Sequence, residues 1–237
     1  MPSKKKSDWN DVFIILPTLN EEKGLKLVAE DLKKMNFPAK NVIVIDGGST
    51  DGTLKVAEKK GFHIIKQEGK GKGNGFRTFL KKWKIKDRGI YVMLDADYTY
   101  DPLEVEKFVS EMKKGYDVVS GVRKHRISGI RSLVHLLGNA GLSIIGSLLF
   151  FRINPDICTG YWGFRGSALK KMSISAGGFD LEANLWTETC RNGLKHSAIK
   201  VNYRERVGES KLRAAEGITI ARKFFKERFK RRYYKHL

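Results

Sequence analysis

The sequence predicts an α/β domain: a mostly parallel sheet with helices on both faces. Two observations carry this. Short apolar runs at residues 12–16, 41–45, 62–65, 90–94 and 117–121 alternate with stretches of helical periodicity. Such alternation gives parallel strands joined by right-handed crossovers. Three of the runs also end in polar loops, where open α/β sheets bind ligands.

The elements follow in chain order. The first strand stops at Pro17. Thr18 or Asn20 is expected to cap the next helix, Glu21 and Glu22 suit its positive end, and Leu25, Val28, Leu32 and Met35 keep helical spacing. The second strand ends at Asp46. Ser49 or Thr50 is expected to cap the helix after it, and Gly61 to close it. The third strand carries His63, read as structural. The glycine-rich stretch 69–75 contains Lys70 and Lys72 and opens a helix with Phe76, Phe79, Leu80 and Trp83. Backbone N–H groups and Lys72 there suit a phosphate, and a flexible glycine turn explains the run equally well. It lacks the Gly-Lys-Ser/Thr ending of a Walker A loop. The fourth strand runs into Asp95, Ala96 and Asp97. A helix from Pro102 and a fifth strand follow.

Beyond Gly121 the alternation stops. Arg123, Arg126 and Arg131 precede residues 133–151, which hold no Asp, Glu, Lys or Arg. That stretch reaches spanning length, about 18 residues or more. His135, Asn139, three glycines and two serines interrupt it, so three readings stand: a membrane span, a buried helix pair, or a segment resting in the membrane interface. Residues 213–237 mix Phe224, Phe225 and Phe229 with Lys and Arg at helical spacing. A basic helix on an anionic membrane, or a solvated basic tail, reads so. Trp162 and Trp186 suit core or sugar platform equally, and Asp156 reads as a loop-holding residue.

Composition sets outer bounds. The 237 residues fit one domain, or one with an appendage, and the formal net charge is +20. That charge favours an anionic partner: nucleic acid, an anionic membrane face or phosphorylated substrates. Nucleic acid has only the charge and the interleaved aromatics in its favour. Cys158 and Cys190 form neither a disulfide framework nor a zinc spacing, so free thiols in a reducing compartment are expected. Residues 1–11 are basic and polar, a flexible N-terminus without the apolar core of a signal peptide.

The chemistry centres on Asp95 and Asp97. Two carboxylates at the carboxyl end of a buried strand suit a hard divalent ion that keeps some waters and takes its other ligands from phosphates. Asp46, after the second strand, suits hydrogen bonds from a nucleoside.

These stretches resemble family 2 glycosyltransferases of the GT-A fold, and among them dolichyl-phosphate mannose and glucose synthases. The likeness runs in order through Pro17 to Glu21, the loop from Asp46 to Thr53, Gly71 to Gly75, Asp95 to Asp97, Ser120 to Arg123, Asp156 to Tyr161, residues 179–182 and residues 206–212. It implies a glycosyltransferase domain over 12–212. It also implies an inverting transfer from a GDP- or UDP-linked sugar to a polyprenyl phosphate, at the cytoplasmic face of an anionic membrane. Pro17, Leu19, Glu21, Asp46, Gly48, Lys72, Asp95 and Ala96 would hold the nucleotide sugar. Asp95, Asp97 and Thr99 would hold Mg²⁺ or Mn²⁺. Arg123, Arg131 and His135 would meet the acceptor phosphate. Asp97, Glu182, Arg206 and Lys211 would form the catalytic set. Leu19 stands where the family often has Tyr, Thr99 where it has Gln, and His135 where it has Ser. The segment at Arg206 is one residue short, so Arg204 could share its role. A hydroxyl acceptor is the alternative; it needs a carboxylate base, for which Glu182 and Glu188 are candidates.

Overall fold

A computed structural model describes residues 9–124, 130–178, 180–204 and 216–229, with the side chains of 130–136, 216, 218 and 219 left aside. Seven strands form one sheet: β1 (Val12–Thr18), β2 (Val42–Asp46), β3 (His63–Lys66), β4 (Ile90–Met93), β5 (Val118–Lys124), β6 (Trp162–Arg165) and β7 (His196–Asn202). Their order across the sheet is β3-β2-β1-β4-β6-β5-β7. Only β6 runs against its neighbours, pairing antiparallel with both β4 and β5. The helices are α1 (Glu22–Lys34), α2 (Thr53–Lys59), α3 (Lys72–Lys82), α4 (Val105–Lys113), α5 (Ile130–Phe150), the single turn α6 (Gly166–Leu169), α7 (Leu181–Arg191) and α8 (Glu216–Phe229).

Successive strand residues feed opposite faces, as the pleat requires. Phe13, Ile15, Ile43, Ile45, Tyr91 and Met93 join Phe76, Phe79, Trp162 and Trp186 on one side. Val12, Ile14, Val42, Val44, Val92 and Leu94 join Leu25, Val28, Leu32, Phe108 and Met112 on the other. Both tryptophans are fully buried, which settles them as core.

Residues 133–150 belong to one helix, not a pair, and Phe151 follows it in a turn. Two of the helix's small residues face inward: Gly146 leaves room for Ile157 and Phe224, Trp186 Nε1 donates to the Gly146 carbonyl, and Ser143 Oγ accepts from Ile157 N–H. Leu137, Ile144 and Leu148 stay exposed. Among the described residues no helix is long and apolar enough to cross a membrane.

The basic C-terminal helix is more deeply tied in than a surface tail. Ile220, Lys223, Phe224 and Glu227 are buried at the spacing of one helix face, against α5 and α7. Arg222, Phe225, Lys226, Arg228 and Phe229 remain outside.

The helix starts differ from expectation. Neither Thr18 nor Asn20 caps α1, and neither Ser49 nor Thr50 caps α2. Asp51 serves both: Oδ2 accepts from Glu22 N–H at 3.1 Å, and Oδ1 from Thr53 N–H at 2.9 Å. Asn20 instead takes Thr50 N–H and donates its own N–H to Ser49 Oγ, cross-linking the two loops. Gly61 does end α2, at φ +71°, with the paired bonds Phe62 N–H to Ala57 O and Gly61 N–H to Glu58 O.

Candidate active site

The register sets the ligand edge. Thr18 lies beside Asp46, and Ile15 beside Met93, so the loops after β1, β2 and β4 emerge together. β1 does not stop at Pro17 but runs through it to Thr18, with Pro17 half-buried beside Ile45; in the loop that follows, Leu19 is 40% exposed and Glu21 is buried. Glu21 N–H donates to Thr53 Oγ1 at 2.9 Å, tying this loop to α2. In the second loop the buried Asp46 carboxylate accepts N–H bonds from Gly48 and Ser49. Gly48 has φ +94° and open space where a Cβ would stand. That leaves a flat, backbone-lined floor beside Asp46.

The third loop holds the paired carboxylates. Asp97 is buried and Asp95 half-buried. Asp97 Oδ1 accepts both Thr99 N–H at 3.0 Å and the Thr99 hydroxyl at 2.6 Å. Thr99 therefore orients Asp97, as supporting hydrogen bonds do around metal-binding carboxylates. Tyr98 between them takes φ +66°, costly for a side chain with a Cβ. Its ring and hydroxyl hold it there: the hydroxyl donates to Asp31 at 2.7 Å, and the Arg204 guanidinium lies 4.3 Å over the ring. Arg204 N–H also donates to the Thr99 carbonyl, and its side chain pairs with Asp101 at 2.8 Å. From below, α1 approaches so closely that a Cβ on Gly24 would stand 2.3 Å from the Ala96 carbonyl. Beside it, a Cβ on Gly160 would meet Asp95 Oδ2 at 2.2 Å.

Lys72 joins two elements at this edge. Its ammonium donates to Asp95 Oδ1 at 2.6 Å and to Glu182 Oε1 at 2.7 Å. Burial opposes its charge, but Asp95 and Glu182 outweigh that and raise its pKa. For Glu182, burial prevails over the help from Lys72, and its pKa is raised. The glycines before Lys72 form a turn, Gly69 at φ +76° and Gly71 at φ +92°, and Gly73 after it packs against a neighbouring loop. Gly73 and Asn74 N–H groups donate to the carbonyls of Gly178 and Gly177. Those two amides are spent on a backbone seam.

The other expected residues divide. Arg123 is gripped by Asp156, whose carboxylate takes Nε and Nη2 at 2.7 Å each and the backbone N–H at 3.1 Å. Asp156 holds its loop through this arginine. Arg131 and His135 lie in the first turns of α5, their side chains outside the described residues. Arg206 and Lys211 also lie outside the described residues. Of the two candidate bases, Glu182 meets Lys72, while Glu188 accepts from Ser173 N–H and Asn192.

The donor set fits one kind of cation. Among the described residues no three His, Cys, Asp or Glu side chains gather to enclose an ion. Asp95 and Asp97 offer hard oxygen ligands only, which suits Mg²⁺ or Mn²⁺ completed by water and substrate phosphate and does not suit a closed protein cage.

A family model described as "Glycosyl transferase family 2" matches residues 13–173. The chain belongs to glycosyltransferase family 2. The matched span holds the three ligand-edge loops, Lys72, Asp95, Asp97 and Arg123. Among curated relatives of this family, the glycosyltransferase AglJ of Haloferax volcanii is 32% identical over 194 residues, 81% of this chain and 62% of that protein. The chain thus spans less than two thirds of AglJ. The dolichyl-phosphate hexose transferase of the same organism is 29% identical over 94% of this chain and 97% of its own length. Among solved structures, glucosyl-3-phosphoglycerate synthase from Mycobacterium tuberculosis, in complex with Mn²⁺ and UDP-glucose, superposes with a TM-score of 0.70. It is 20% identical, with 92% of this chain and 78% of that one covered. This likeness shows the fold, the GT-A α/β arrangement.

Proposed function

We propose that this glycosyltransferase moves a sugar from a GDP- or UDP-linked donor to a polyprenyl phosphate, inverting the anomeric carbon. The observation that carries the reading is the ligand edge itself, where Asp46, Asp95 and Asp97 share one end of the sheet and Lys72 at the start of α3 bonds to Asp95. A dolichyl-phosphate hexose transferase of nearly the same length supports the acceptor class.

Asp46 and the open backbone at Gly48 would receive the nucleoside, with Pro17, Leu19 and Glu21 beside it. Asp95 and Asp97 would hold Mg²⁺ or Mn²⁺, which supplies charge neutralisation for the departing diphosphate. Lys72 brings a cation to the same place, and Arg206 and Lys211 would add to it as negative charge develops. A phosphate acceptor is already anionic at neutral pH, so no base is required, only positioning by Arg131 and His135. Lys72 also holds the Glu182 carboxylate at 2.7 Å, which disfavours Glu182 as a base for a hydroxyl acceptor.

The membrane side has its own support. Leu137, Ile144, Leu148, Phe151 and Ile153, on α5 and just after it, are exposed, as are Phe225 and Phe229 on α8. Arg222, Lys226 and Arg228 are exposed beside those phenylalanines. Apolar and basic side chains together suit peripheral binding to an anionic cytoplasmic leaflet.

The test is incubation with a panel of GDP- and UDP-sugars, polyprenyl phosphate and Mn²⁺ or Mg²⁺. The expected product is a sugar–phosphate lipid recovered in the organic phase. Transfer to a soluble hydroxyl acceptor, with none to the lipid, would overturn the acceptor assignment.

A further inference from the structure

Lys223 on α8 is a buried lysine. Its ammonium donates to Ser175 Oγ at 2.8 Å and faces Asp180 Oδ2 at 3.3 Å and Glu227 Oε1 at 3.4 Å. A buried ammonium is tolerated only when paired and hydrogen-bonded, and here three acceptors surround it. Glu227 has a second cation, Arg191. Among the described ion pairs, Asp180 has Lys223.

Asp180 stands at a junction. It precedes the first turn of α7, its Oδ1 accepts Gly178 N–H at 3.0 Å, and its carbonyl accepts Asn184 N–H. Two residues ahead is Glu182, paired with Lys72. Just behind are the Gly177 and Gly178 carbonyls that take the N–H groups of Asn74 and Gly73 in the first turn of α3. That seam is backbone against backbone: a Cβ on Gly71 would stand 2.5 Å from the Gly177 carbonyl. One carboxylate therefore connects α8 to both ends of the Lys72–Glu182 pair.

We propose that Lys223 is a positioning residue for the donor site. Its charge fixes the Asp180 turn. The turn sets Glu182 and the start of α3, from which Lys72 reaches Asp95. Without the ammonium, a half-buried Asp180 carboxylate gains by turning to water, and the backbone at Gly177 and Gly178 loosens with it. The proposal rests on reading the Asp95 edge as the donor site.

Lys223→Met and Lys223→Arg test it in the full chain. Three quantities are read: amide hydrogen exchange at Gly73 and Asn74 without ligand, Kd for UDP and for GDP with Mn²⁺, and Tm. Lys223→Met should speed exchange at Gly73 and Asn74 at least tenfold more than at β1 amides. It should also weaken the nucleotide that the unaltered protein binds about tenfold, and Lys223→Arg should restore both. Uniformly faster exchange with an unchanged Kd would mean a merely structural lysine and would overturn the proposal. If Lys223→Met does not fold, Asp180→Asn reads the same pair from the other end, with the same two outcomes. An unaltered protein that binds neither nucleotide overturns the donor-site reading and this proposal together. Binding unaffected by Lys223→Met overturns this proposal alone.

Discussion

Lys72 Nζ stands 2.6 Å from Asp95 Oδ1, so the glycine-rich start of α3 is bonded directly to the strand end that carries the paired carboxylates. The same ammonium neutralises Glu182. Lys72→Met should leave two desolvated carboxylates without their cation. Breaking a buried pair costs about 3–5 kcal/mol, and the partial exposure of Asp95 trims this to about 2–3 kcal/mol. Lys72→Met with Glu182→Gln should recover more than half of the loss in denaturant unfolding. Strict additivity of the two substitutions would show that the carboxylate is not held by the lysine.

Much of this arrangement was legible in the sequence, and the gaps have physical causes. The five apolar runs became β1 to β5 because each is apolar and alternates with stretches of helical periodicity that mark it as a strand. β6 is short, is broken by Gly163 and lies beyond the stretch where strand and helix alternate. β7 is an edge strand with only Val201 buried, so its pattern is weak. The carboxylates of the ligand edge could be read from their place after apolar strands. Their supports could not: the partner of Arg123 is Asp156, that of Asp95 is Lys72, and that of Lys223 is Asp180. Each pairing joins elements brought together only by the fold. Gly24 was the one local sign, a glycine inside a helical pattern with no turn to explain it.

Gly24 therefore makes a sharp test. Ala at this position must push the Ala96 carbonyl away, along with Asp97 Cα at 2.8 Å. Overpacking of this kind costs about 1–3 kcal/mol. Metal-dependent nucleotide binding should fall with it, because the displaced atoms carry the carboxylates. Gly141→Ala in α5 meets nothing within 4 Å and serves as the control. It should be neutral or stabilising by up to about 1 kcal/mol. Equal effects of the two on nucleotide Kd would remove Gly24 from the support of the site.

His196 gives a pH dependence. Burial, reinforced by the charge of Arg152, pushes its pKa down to about 4 from 6.5. Its Nε2 lies 2.9 Å from Ser120 Oγ, so the neutral ring is built into the fold. The unfolded chain takes up the proton first. The stabilisation is thus complete above about pH 6.5 and is lost as pH falls toward 4, on the order of 3 kcal/mol in all. Denaturation curves between pH 4 and 8 should show this slope, and His196→Gln should flatten it. An unchanged slope in the variant would assign the acid sensitivity to other groups.

Deleting the chain from Arg222 onward would remove Phe224 and Lys223 from the interior together with the basic surface. Point substitutions separate the two. Ile144→Ser, Leu148→Ser and Phe229→Ser change exposed positions. Together they should abolish most sedimentation with anionic liposomes at low salt, with Tm and nucleotide Kd near those of the unaltered protein. Undiminished sedimentation would place the membrane contact on another surface.

The central claim is that Asp95 and Asp97 form the metal-dependent donor site of a sugar transferase. Calorimetric titration of UDP and GDP, with and without Mn²⁺, into the unaltered protein and Asp97→Asn tests it most directly. Metal-dependent binding of one nucleotide by the unaltered protein, lost in Asp97→Asn at an unchanged Tm, is the expected result. Equal affinity in the two proteins at low metal would contradict it.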